Sequence, residues 1–99
     1  MKKTTLILAL LSSILVAGNS GQETFAKCIG CHGANGEKSA LGKSAIITGQ
    51  DKDLTVKQLT AYKKGDLNAH GMGGLMKGQL ATLNEEDIKN VAEYISNMK

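Results

Sequence analysis

The sequence predicts an all-α domain of three to four short helices joined by long loops. Three observations carry this. No segment shows sustained period-2 alternation of apolar and polar residues, so strands are not expected. Three segments instead repeat their apolar residues at helical spacing. The stretches between them are rich in glycine and serine, as loops are. The chain has 99 residues, with one Phe, two Tyr and no Trp, so it holds at most one domain with few large side chains for a core.

The first helix is expected from Gln22 to Ile29, where Phe25, Ala26 and Ile29 share a face. Residues 33 to 50 show no firm period and read as an irregular loop. A second helix is expected from about Leu54 to Lys64, capped by Asp53 and carrying Val56, Leu59 and Tyr62 along one side. Gly65 ends it, and Lys63 and Lys64 in the last turn suit the helix dipole. From Asp66 to Gly78 the chain reads as a glycine-rich loop that contains His70, Met72 and Met76. The last helix has the strongest signature. Asn84 is an N-cap candidate, Glu85, Glu86 and Asp87 fill the first turn, and Ile88, Val91, Ala92 and Ile95 form an i, i+3, i+4, i+7 stripe.

The N-terminal residues have a different character. Lys2 and Lys3 precede an apolar run from Leu6 to Val16, interrupted by Ser12 and Ser13 and followed by the small residues Ala17 and Gly18. This is the pattern of a secretory signal peptide, and the run is well short of the ~20 residues of a membrane span. We therefore expect residues 1–20 to be a signal, with cleavage after Ala17, Gly18 or Ser20, and residues 21–99 to be the mature domain. An uncleaved N-terminal anchor is the alternative. Without Lys2 and Lys3, ten lysines face nine acids, a formal +1 against +3 for the whole chain. Such a mixed surface gives no sign of nucleic-acid binding.

Both cysteines and one of the two histidines fall in the pentapeptide Cys28-Ile29-Gly30-Cys31-His32. Two thiols three positions apart with an imidazole directly after them form the attachment sequence for c-type haem. Cys28 and Cys31 would form the two thioethers, and His32 would reach the iron. The rival readings lack what they need. A thioredoxin-like pair requires a βαβ setting, a structural zinc site requires four ligands with only His70 left over, and a disulfide across two residues staples little. A haem would also supply apolar surface that the side chains do not, so the haem-free chain should be largely unfolded. Thioether attachment takes place outside the cytoplasm, which agrees with the signal.

For a sixth ligand the residues leave Met72, Met76 and His70 open. A thioether is soft and raises the reduction potential, whereas a second imidazole lowers it. The run Leu75-Met76-Lys77-Gly78-Gln79-Leu80, then Leu83-Asn84-Glu85-Glu86-Asp87-Ile88, together with Cys28 to Gly33 and Tyr94-Ile95, resembles the short soluble bacterial class I monohaem cytochromes c over about residues 21 to 97. The resemblance implies that fold, Met76 as the axial methionine with Met72 as runner-up, and Gly21 and Phe25 meeting Tyr94 and Ile95 where the terminal helices cross. It also implies that Gly49, Gln50 and Tyr62 line the haem pocket. The family has a proline whose carbonyl accepts the proximal imidazole N–H. This chain has no proline, and a carbonyl near Ile46 or Ile47 is the expected substitute.

The implied function is that of a monomeric, periplasmic electron carrier rather than an enzyme. Its partners would be a quinol–cytochrome c reductase, a terminal oxidase, or a periplasmic reductase or peroxidase. Lys27, Lys43 and Lys77 could steer an acidic partner or be ordinary solvated lysines. The alternatives are a haem enzyme or gas sensor with an open or displaceable distal site, and a subunit of a larger assembly.

Overall fold

A computed structural model describes residues 20–42 and 44–99. The expected signal peptide, apart from Ser20, lies outside the described residues, and so does Lys43. Among the described residues there are five α-helices and two short 3-10 turns and no strand. The helices are α1 (Gly21–Phe25), α2 (Ile29–His32), α3 (Lys52–Lys64), α4 (Gly73–Leu80) and α5 (Glu85–Ser96), with 3-10 turns at Ala40–Gly42 and Ala69–Gly71. The helical class is as expected, with one helix more than the three to four foreseen.

The expected first helix is divided in two. Ser20 and Glu23 form a reciprocal capping box at the start of α1. The Cys28 N–H then bonds the Phe25 carbonyl at 2.8 Å, a three-residue step that breaks the α-helical ladder. Helical bonding resumes as His32 N–H reaches the Cys28 carbonyl at 2.9 Å.

In α3 the cap is Asp51, not Asp53. The Asp51 carboxylate accepts the Leu54 N–H at 3.0 Å, so the helix starts two residues earlier than expected. Gly65 closes it in the left-handed region, φ 86°, as expected. The larger correction concerns residues 73–80, which are helix rather than loop. Glycine is a poor helix former, and tertiary contacts decide here. The Asn68 side chain accepts the Gly73 N–H at 2.7 Å, and a Cβ on Gly73 would lie 2.5 Å from the Leu67 carbonyl oxygen.

Helix α5 is the spine of the molecule. Asn84 and Asp87 form its capping box, and Ile88, Val91, Ala92 and Ile95 are all buried. It feeds two apolar clusters. Phe25, Val91 and Ile95 form one, and Leu80, Leu83 and Ile88 form the other. Leu59 of α3 packs against both. The expected contact of the terminal helices is present: the rings of Phe25 and Tyr94 lie 5.7 Å apart and are tilted by 47°. The loop between α2 and α3 is fastened in two places. Ile47 and Thr48 N–H groups share the Gly36 carbonyl, and the Gly49 N–H bonds the Ile95 carbonyl at 3.1 Å.

Candidate haem-binding site

Between the two clusters lies a mainly apolar cleft of about 350 Å³, lined from α2, α3, α4 and α5. That falls within the range of cofactor-sized pockets. Helix α3 has only Thr55 fully buried, while Val56, Leu59 and Tyr62 are half-buried because their side of the helix looks toward the cleft and its neighbouring cluster.

The short helix α2 gathers the attachment residues. Cys28, Cys31 and His32 all line the cleft, with Cys28 half-buried, Cys31 exposed and both thiols free. Burial pushes the Cys28 thiol up, Lys27 partly offsets this, and Cys31 adds to the rise. His32 is 9% exposed. Burial lowers its pKa, which favours the neutral imidazole that binds metal. Gly33, at φ 87°, lets the chain leave the helix beside it.

His32 Nδ1 is buried without a hydrogen-bond partner. The carbonyl expected near Ile46 or Ile47 therefore does not serve it. That loop is engaged elsewhere: the Ile47 carbonyl accepts the Gln50 N–H at 3.0 Å, and Ile46 is 61% exposed.

The methionines and His70 line the same cleft. Met72 caps α4 and is 8% exposed. Met76 lies one turn further along, its N–H bonded to the Met72 carbonyl at 3.0 Å, and packs half-buried against the Leu80, Leu83 and Ile88 cluster. His70 is exposed and has φ 57° in its 3-10 turn. Tyr62 and Gln50 line the cleft, whereas Gly49 is not in its lining and secures the loop to α5 instead.

The sequence reading missed Thr55 and Gln58. The Gln50 amide donates to Thr55 Oγ1 and to Gln58 Oε1, each at 2.8 Å, and gives the cleft one polar stretch of wall. The spacing of Thr55, Gln58 and Tyr62 along one helix face was the available signal.

The residues present fit a covalently held haem. Two free thiols and a buried imidazole adjoin an apolar cleft, and soft thioethers lie along its wall. The comparisons agree. The family model for cytochrome c matches residues 19–99. Cytochrome c-553 of Helicobacter pylori (strain ATCC 700392 / 26695) is 34% identical over 100 residues, covering all of both chains. Cytochrome c-553 of Nitratidesulfovibrio vulgaris is 27% identical over 107 residues, covering 99% of this chain and 100% of the relative. Cytochrome c4 of Stutzerimonas stutzeri is 31% identical over 84 residues, which is 85% of this chain and 40% of that protein.

An all-helical domain folded about a cleft that joins two thiols and an imidazole defines a c-type haem protein. The chain belongs to the cytochrome c family, as a small class I monohaem member with one covalently bound c-type haem. It is a haem electron carrier.

Proposed function

We propose that this protein is an exported, periplasmic carrier of single electrons with a six-coordinate His32/Met76 iron. It would pass electrons between larger redox proteins of a respiratory chain, such as a quinol–cytochrome c reductase and a terminal oxidase or periplasmic reductase. Cys28 and Cys31 hold the haem as thioethers, and His32 is the proximal ligand. The bound iron supplies a reversible one-electron couple. The carrying observation is that Met76 lines the same cleft as His32 and both thiols, on a helix packed against the Leu80, Leu83 and Ile88 cluster. A methionine held in this way would supply the sixth ligand of the bound iron and would leave a substrate no open position there. Residues 1–20 serve as the export signal, no helix among the described residues is long and apolar enough to cross a membrane, and the mature chain acts as a monomer.

The test is the optical spectrum of the oxidised holoprotein. We expect a methionine–iron charge-transfer band that Met76→Ala abolishes and Met72→Ala leaves in place. The reverse pattern transfers the ligand role to Met72. A high-spin ferric spectrum in the wild type, with rapid binding of added ligand, would instead mark an enzyme or gas sensor.

A further inference from the structure

Helix α4 has little intrinsic stability. Gly73, Gly74 and Gly78 lie within it, and each disfavours helix by about 1 kcal/mol relative to alanine. The position of Met76 therefore depends on how the ends of α4 are held. Its start is held by the Asn68 side chain, which takes the Gly73 N–H.

Its end runs into the turn Ala81-Thr82-Leu83, which two lysines from other elements grip. Lys27, directly before Cys28 and itself lining the cleft, donates from Nζ to Thr82 Oγ1 at 3.0 Å, a bond between residues 55 apart in sequence. Lys63, in the last turn of α3, donates from Nζ to the Leu83 carbonyl. Leu83 is 4% exposed and belongs to the cluster on which Met76 leans. The Lys63 bond is part-buried, where a bond from an ammonium to an oxygen is stronger than a neutral one, while the Lys27 bond lies at the exposed surface and is the weaker of the two. Each ties the turn to a separate part of the frame, one to the attachment segment and one to α3.

We propose that Lys27 and Lys63 are positioning residues for the sixth iron ligand. By tethering the turn after α4 they keep Met76 at the cleft and set how readily an outside ligand displaces it. The proposal rests on the reading of Met76 as that ligand. Lys27 is then primarily a brace between the attachment segment and the Met76 helix, rather than a free steering charge.

The test titrates imidazole into the oxidised holoprotein and follows the loss of the methionine–iron band. Lys27→Met, Thr82→Val and Lys63→Met should each lower the imidazole midpoint by about three- to tenfold, the range expected for losing one such bond. Thr82→Ser, which keeps the hydroxyl, should behave as wild type. Asp51→Ala removes the α3 cap and lowers global stability, and should leave the midpoint where it is. Wild-type midpoints in all three tether variants overturn the proposal, as does an equal shift in Asp51→Ala, which would mark the effect as general loosening. If the wild-type band survives Met76→Ala, the ligand assignment itself has failed and the tether falls with it.

Discussion

Gly21 of α1 sits where a methyl group would lie 2.6 Å from the Cβ of Tyr94 on α5. The same methyl would run into the Asn90 carbonyl oxygen, which is backbone and cannot turn aside. The close approach of the two helices is thus written into one residue, and it brings Phe25 into the cluster with Val91 and Ile95. Gly21→Ala should force the helices apart and cost about 1–3 kcal/mol, the usual range for overpacking. Chemical denaturation of the holoprotein measures it, and an unchanged midpoint would show that α1 can shift without loss.

Among the described residues the two apolar clusters have three buried residues each, and a cleft lies between them. A domain of about 80 residues is near the lower limit for a self-sufficient core. The variant Cys28→Ala/Cys31→Ala, which cannot form thioethers, should therefore show weak helical circular dichroism and no cooperative thermal transition when prepared without haem. A sharp transition would mean that the clusters collapse onto each other unaided.

Glu37 is held below its usual carboxylate value, first by its own backbone N–H and then by the Asn35 N–H, which it accepts at 2.9 Å. A depressed folded pKa means stability that is present above the unfolded value and lost as pH falls through the folded one. Glu37→Gln should be slightly less stable than wild type at neutral pH, and the gap should close in acid. Paired thermal melts at pH 7 and pH 3 check this. A gap that stays constant with pH would show that the charge of Glu37 is not involved.

Legibility in the sequence followed the range of the interactions. Helix α5 could be read in full because its cap and its stripe are local, and Gly65 marked the end of α3 for the same reason. The start of α3 could not be fixed, since Asp51 and Asp53 are both capable caps and only the bond to Leu54 N–H chooses between them. Helix α4 was illegible because its glycines argue against helix, and what orders it comes from Asn68 and the packing beneath. In the site, the attachment motif is a local pattern and was legible. The helical spacing of Thr55 and Gln58 was visible, but their partner Gln50 and the Lys27 to Thr82 bond join residues that only the fold brings together. The same holds for the bare Nδ1 of His32: the missing proline was visible, but where the loop carbonyls point was not.

The cleft between the two clusters has a consequence for the life of the protein in the cell. With so little apolar contact across it, acquiring the redox centre and acquiring resistance to proteolysis become one event. A polypeptide that misses its cargo stays open to degradation along its length. With the haem-free chain unfolded as expected, the molecules that survive would be those already competent to carry electrons, and the supply of haem would limit how many carriers there are.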